Sequence, residues 1–271
     1  MKLNDILRKH GFSCTKRYGQ NFISDPNLLA AIASDGAGEG DTVLEIGAGA
    51  GTLTAALCDL GAFVTAFEID ERLKPVLSEV LSGKDARVIF ADAMTADIDS
   101  LNLGYYRLVA NLPYYITTPV IFRFLYDPHL RSLTVMVQKE VAERICASAA
   151  TAQYGALSAQ MQAMGRVRIT RTVPRSMFLP APEVDSAVVR LDIDPILPRE
   201  NLPDYRKAVA AAFGMRRKTL VNNLCSAYPI SKSTATEIVV ELCGNPSARG
   251  ETLTPAEFIR LSELIKEALR G

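Results

Sequence analysis

The chain has 271 residues, with 30 basic and 30 acidic side chains and a formal net charge of zero; 48% of residues are apolar and 22% charged. That is enough for one large domain, or a large and a small one, around a sizeable core. Composition argues against a membrane span, since no apolar run reaches roughly 18 residues, and "MKLNDILRKHGF" has no apolar signal-peptide core.

From Thr42 onward, short β-rich runs alternate with helical patterns. "TVLEIG", "FVTAFEID", "RVIFADAM", "RLVANLP" and "LTVMVQKEV" are continuous apolar runs, as parallel strands buried on both faces should be. Between them fall the helical stretches "LTAALCDLG", "ERLKPVLSEVLSG" and "TPVIFRFLYD". The alternation predicts a doubly wound α/β sheet. "RVRITRTV" and "AVVRLDI" are expected to pair antiparallel at one edge. Three prolines in "DPILPRENLP" mark a break. Beyond it every segment reads as helix, with Thr254 and Glu257 forming a capping box and Pro255 at the first helical position. The expected domains are residues 1–198, an α/β sheet domain with a basic N-terminal segment, and 199–271, a small helical domain.

Charge is segregated along the chain. Residues 145–182 hold no acid and four arginines (Arg166, Arg168, Arg171 and Arg175). Residues 205–236 hold no acid and six basic residues, including Arg216, Arg217 and Lys218. The N-terminus adds Lys2, Arg8, Lys9, Lys16 and Arg17 against Asp5. Such runs either form a basic face for a polyanion or remain solvated helices. The five cysteines are scattered without a CxxC and read as reduced thiols in a cytoplasmic protein. The two histidines, His10 and His129, are far apart, which disfavours a zinc site or a histidine-based triad; no metal is expected.

"LEIGAGAGT" places Gly47, Gly49 and Gly51 between the first of these strands and its helix. A dinucleotide fingerprint would want glycine where Thr52 stands. Glu45, two residues before Gly47, gives the pattern acid-x-GxGxG, which resembles the S-adenosylmethionine site of Rossmann-like methyltransferases. Glu68 is expected to end the second strand, Asp92 the third and Asn111 the fourth. Ligands of open α/β sheets bind at those ends. A carboxylate at Glu68 suits ribose hydroxyls, and one at Asp92 suits an adenine amino group. "NLPY" resembles the loop of amino-methyltransferases acting on exocyclic amines of bases. There the Asn111 side-chain oxygen and the Leu112 carbonyl can accept from the two N–H bonds of a poor nucleophile. Pro113 stiffens the turn and Tyr114 offers a ring for stacking.

"KRYGQNFISD", "LEIGAGAGTLT", "FEID", "DAM", "NLPYYITTP", "YGALSAQMQ", "FLPAPEVDSAVVRL" and "FGMRRKTLVNNL" occur in this order. From about residue 13 to about 265 the chain thus resembles the ribosomal RNA adenine dimethyltransferases of the KsgA type. The resemblance implies a Rossmann-like methyltransferase sheet, mostly parallel with an antiparallel edge, and an all-α RNA-binding C-terminal domain. It implies S-adenosylmethionine held by Asn21, Ile23, Gly47, Gly49, Glu68, Ile69, Asp92, Ala93 and Asn111. Tyr114 and Phe178 would clamp a flipped adenine. Arg216, Arg217 and Lys218, with Lys16 and Arg17, would contact RNA backbone. The implied reaction is N6,N6-dimethylation of two adjacent adenosines near the 3′ end of small-subunit rRNA, on a pre-30S particle, by a monomer. Two other readings stand beside it: the related large-subunit rRNA dimethylase that confers antibiotic resistance, and a methyltransferase-like nucleic-acid-binding factor without turnover. Tyr115 departs from the family, which usually has asparagine there.

Overall fold

A computed structural model of the protein describes residues 3–13, 19–215 and 217–270. Its strands are β1 (Phe22–Ile23), β2 (Thr42–Ile46), β3 (Phe63–Glu68), β4 (Ala86–Phe90), β5 (Tyr106–Asn111), β6 (Leu130–Gln138), β7 (Gly165–Val173), β8 (Phe178–Leu179) and β9 (Ser186–Ile193). Its helices are α1 (Leu3–Lys9), α2 (Pro26–Gly36), α3 (Thr52–Asp59), α4 (Lys74–Val80), α5 (Tyr114–Phe124), α6 (Lys139–Ile145), α7 (Ala156–Ala163), α8 (Leu202–Ala212), α9 (Leu220–Ala227), α10 (Lys232–Cys243) and α11 (Pro255–Ala268). The chain divides into two compact units, Met1–Ala142 with Arg168–Ile193, and Glu143–Val167 with Asp194–Gly271.

In the first unit the described strands form a seven-stranded sheet of order β4-β3-β2-β5-β6-β9-β7, with β1 and β8 as a separate pair. β4, β3, β2, β5 and β6 run parallel, and β9 runs antiparallel to β6. The central strands are apolar because both of their faces are covered. Val43, Leu44, Leu108 and Val109 are fully buried, as are Leu57 of α3 and Val76 of α4 beneath the sheet. Each such side chain contributes about 1.5–3 kcal/mol. From β2 the chain steps outward through β3 to β4, then returns to the other flank of β2 with β5. The direction of winding reverses between β2 and β5. The crevice outside their carboxyl ends is where such sheets bind ligands, and Gly47 and Asn111 sit there.

Two boundaries differ from expectation. The helix expected from Thr118 begins at Tyr114, with Pro113 as its N-cap (φ −54°) and Pro119 inside it. Pro113 fits that place because its missing N–H is not needed at a helix start. β4 ends at Phe90, so Asp92 lies in the turn after the strand.

The second unit gathers α7 to α11. Tyr205 is fully buried, donates to the Ala159 carbonyl at 2.8 Å and meets Phe258 edge-on, with ring centroids 6.4 Å apart. The Thr254–Glu257 capping box forms, with Thr254 N donating to Glu257 Oε2 at 2.8 Å. Residues 143–167 cluster here, whereas the sequence placed the boundary after residue 198. The reason is packing: Ala159, Met161 and Ala163 of α7 are fully buried. Tyr205 ties α8 to α7, and Ile196 N donates to the Ala163 carbonyl at 3.0 Å.

Candidate active site

A cavity of about 410 Å3 opens at the switch between β2 and β5, wholly within the first unit. Asn21, Ile23, Gly47, Gly49, Glu68, Ile69, Asp92, Ala93, Asn111, Leu112, Pro113, Tyr114 and Phe178 all line it. Residues up to 157 positions apart in the chain, Asn21 and Phe178, thus meet at one wall.

The glycine turn is stitched to the neighbouring strand. Gly47 N and Ala48 N both donate to the Phe67 carbonyl, at 2.8 and 2.9 Å. Gly49 has φ +56°, and a Cβ there would stand 3.0 Å from the Phe22 ring, so glycine is required on both counts. Its N–H donates to Glu68 Oε2 at 2.7 Å, while Asp70 N donates to Oε1 at 2.8 Å. Each oxygen keeps a further lone pair for a ligand. Burial pushes the Glu68 carboxyl up, against the opposing pull of these two N–H groups and of the Ile69 N–H. Asp92 is exposed, and its Oδ1 accepts from Met94 N at 2.8 Å.

Glu45, at 1% exposure, lies deeper. Its Oε2 and the Thr54 Oγ1 are buried without a hydrogen-bond partner among the described residues. Burial pushes the Glu45 carboxyl to about 8, against the weaker pull of the adjacent Thr54 hydroxyl, which falls short of a well-formed hydrogen bond, and the nearby Glu68 charge acts in the same direction as burial.

On the opposite wall, Asn111 Nδ2 donates to the Asn21 carbonyl at 3.3 Å. That fixes the amide so that Oδ1 is the atom left to accept. Pro113 O takes Ile116 N at 3.1 Å and Thr117 Oγ1 at 3.2 Å, closing the first turn of α5. Tyr114 shares a hydrogen bond between its hydroxyl and Ser186 Oγ, 2.8 Å apart, which pins the ring to β9. Phe178, 6% exposed, lies on β8, where it pairs with Ile23.

Three contributors escaped the sequence reading. Ser186 anchors Tyr114. Gln20 donates to Asp70 Oδ2 at 2.8 Å, and Asp70 is itself buried and bonded to Arg72. "FEID" signals the two acids together; nothing local signals Gln20 as the partner of Asp70 or Ser186 as that of Tyr114. Lys16, Arg17 and Arg216 lie outside the described residues. Arg217 and Lys218 are exposed in the second unit and form no ion pair with a described residue. The arginine run at 166–175 is only partly neutralised, since Arg166 and Arg175 are exposed. Arg171 pairs with Asp35, Arg168 with Asp192, and Arg175 Nη1 donates to the Glu183 carbonyl at 3.2 Å.

A mostly parallel sheet wound outward from β2, with a glycine turn and two carboxylates at its switch point, defines a Rossmann-like methyltransferase. The family model of ribosomal RNA adenine dimethylase matches residues 11–267. A "Ribosomal RNA small subunit methyltransferase A" from Deinococcus radiodurans is 48% identical over 224 residues, 82% of this chain and 76% of that protein. One of the same name from Enterococcus faecalis is 40% identical over 280 residues, 98% of this chain and 95% of that one. Two solved structures are similar. A dimethyladenosine transferase from Plasmodium falciparum has a TM-score of 0.73 at 25% identity, covering 89% of this chain and 95% of that one. The 23S rRNA methyltransferase ErmE has a TM-score of 0.68 at 29% identity, covering 90% and 99%. The chain belongs to the ribosomal RNA adenine dimethylase family.

Proposed function

We propose that this enzyme dimethylates the N6 amino groups of two adjacent adenosines near the 3′ end of small-subunit (16S) rRNA, during ribosome biogenesis in the cytoplasm. The observation that carries this is Asn111. Its amide is turned by the Asn21 carbonyl so that Oδ1 accepts, in a cavity walled by Glu68 on one side and by Tyr114 and Phe178 on another. The names of relatives 40% and 48% identical support the small subunit as target; the large-subunit alternative has the likeness to ErmE, at 29%.

The cavity suits S-adenosylmethionine by its donor set. Glu68 has lone pairs left for ribose hydroxyls, and Asp92 is an acceptor for an adenine amino group. Asn21, Ile23, Gly47 and Gly49 offer close-approaching backbone and a short wall. Ile69 and Ala93 supply apolar surface beside the acids. When bound, the cofactor supplies a methyl group on a sulfonium centre, an electrophile strong enough to need no metal.

The chain's own work is to orient the amine. Asn111 Oδ1 and the Leu112 carbonyl accept from the two N6 protons in the first transfer and share the one that remains in the second, and each transfer releases one proton to solvent as the C–S bond breaks and the N–C bond forms. These contacts favour a pyramidal nitrogen and stabilise the positive charge that develops there. Tyr114 and Phe178 stack on the base, at about 1–3 kcal/mol per contact, which offsets the few kcal/mol of flipping it out. Holding the nitrogen in line supplies about 7–11 kcal/mol of the barrier reduction. Arg217 and Lys218, with Lys16, Arg17 and Arg216, contact RNA phosphates, and the protein acts as a monomer on the pre-30S particle.

The test is to map dimethyladenosine on ribosomes from cells lacking this gene, rescued by wild type or by Asn111→Ala. Persistence of the small-subunit modification in the deletion strain refutes the assignment. Loss from large-subunit rRNA instead identifies the alternative dimethylase. Full rescue of the modification by Asn111→Ala refutes the role given to that side chain.

A further inference from the structure

We propose that an open pocket between α8 and α9 takes one unstacked base of the substrate RNA, with Lys207 holding the phosphate beside it. The inference rests on the rRNA reading above and adds a contact to a nucleotide other than those methylated.

The pocket lies wholly within the second unit and measures about 450 Å3, in the size range of sites that enclose small molecules. Its sides are small: Ala210 on α8, Gly214 just beyond it and Ala227 on α9 are all exposed. Tyr228, half-buried, adds an aromatic side. Asn223 gives the pocket a fixed shape. That side chain is 2% exposed; it donates to the Ala212 carbonyl at 2.7 Å and accepts from Met215 N at 3.1 Å, so the turn after α8 is held against α9.

Polarity decides what enters. α8 ends at Ala212 and α9 at Ala227, so both helices meet the pocket with their carboxyl ends. Carbonyl groups there accept hydrogen bonds and disfavour an anion, which suits the N–H edge of a base rather than a phosphate. The cations lie outside. Lys207 is exposed at the pocket and forms no ion pair with a described residue, because Asp204, one turn before it, is taken by Lys266 at 3.0 Å. No acid occurs from residue 205 to 236, and Arg217 and Lys218, both exposed, follow Gly214 by three and four residues. A neutral, donor-bearing ring with an anion attached at its side is a nucleotide, and stacking on an aromatic side chain is open to any base.

The test uses small subunits carrying unmethylated rRNA. Ala210→Phe fills the pocket from α8 and Ala227→Phe from α9; both positions are exposed, and an unchanged Tm shows that a variant is folded. A filled variant is expected to bind the particle about tenfold more weakly, with an unchanged salt slope. Lys207→Ala should instead lower the slope of log affinity against log salt by about 0.7–0.9. Base-specific chemical probing at saturating enzyme should reveal a base, outside the two target adenosines, that wild type protects and the filled variant leaves reactive. Wild-type affinity in the filled variants overturns the pocket. So does weaker binding with no base released, which would make the occupant a protein of the particle. Methyl transfer is read in parallel: a wild type that protects the extra base yet leaves the target adenosines unmethylated refutes the base-methylation reading and not the pocket.

Discussion

Asn111 takes its orientation from a carbonyl 90 residues earlier, so its acceptor is aimed before any substrate arrives. Asn111→Ala is expected to lower single-turnover methylation by about 100- to 1000-fold, the usual effect of removing one preorganised polar group. RNA affinity should change little, and equal turnover would refute the role. Glu45 makes a different prediction. In the folded protein it stays protonated up to about pH 8, whereas in the unfolded chain it ionises near 4.5. The folded state therefore binds the extra proton between those values, and stability contributed by this group falls as pH rises through that window. Tm measured from pH 5 to 9 should show a downward slope in wild type that Glu45→Gln reduces; identical slopes would count against a neutral Glu45. Glu68 and Asn111 were legible because a polar residue ending an apolar strand needs a reason, and Glu45 because it precedes the glycine turn by two residues. Gln20, Asp70 and Ser186 were less so: each acts through a partner from another segment, and spacing along the chain carries no trace of that.

At the scale of elements, residues 19–23 form a strap over the cavity. Gln20 is tied to Asp70, Asn21 to Asn111, and Ile23 both to Thr52 through its carbonyl and to Phe178 through β1–β8 pairing. Burial alone would raise the Asp70 carboxyl, but the Arg72 guanidinium and the Gln20 amide more than offset it and hold it low. The strap's anchor is thus an ionised, charge-assisted hydrogen bond, worth about 1.5–3 kcal/mol. Gln20→Ala is expected to weaken S-adenosylhomocysteine binding by about tenfold or more, measured by calorimetry; unchanged affinity would show the strap is held without it. The parallel strands were readable as apolar runs. The start of α5 was not, because "TP" at 118–119 imitates a helix entrance while the true entrance is Pro113. α6 was absorbed into the apolar run "LTVMVQKEV", whose strand periodicity hides the change of element at Lys139.

For the whole molecule, net charge is zero, and the sequence runs of basic residues have divergent fates. Arg168 and Arg171 are neutralised by acids of their own unit. Arg217 and Lys218 stay exposed. In that segment Asn223 pins the chain just before the basic residues: it donates to the Ala212 carbonyl at 2.7 Å and accepts from Met215 N at 3.1 Å. Replacing Arg217 and Lys218 with alanine should lower the slope of log affinity against log salt by about 0.7–0.9 for each phosphate no longer neutralised. Filter-binding across a salt series reads this directly, and an unaltered slope would assign phosphate binding to other residues. The prolines at 195–203 lie just after Asp194, where the later segment of the second unit begins. That residues 143–167 join the later helices was invisible, since it depends on Tyr205 reaching α7 across 46 residues.

The paired arginines have a consequence of another kind. β7 ends the strand order, so its outer backbone groups form an open edge of the sheet. Thr170 and Arg171 both bond Asp35, with Arg171 Nη2 donating to Asp35 Oδ1 at 2.8 Å, and Arg168 is held by Asp192. Charged side chains locked along an edge strand discourage another chain from adding to it. Arg168→Thr combined with Arg171→Thr is expected to leave methyl transfer intact while the protein self-associates as concentration rises. Light scattering checks this, and a monodisperse variant would mean the edge is guarded by other means. Arg168 and Arg171, held in place by acids, are thus expected to hinder pairing of the molecule with its own copies.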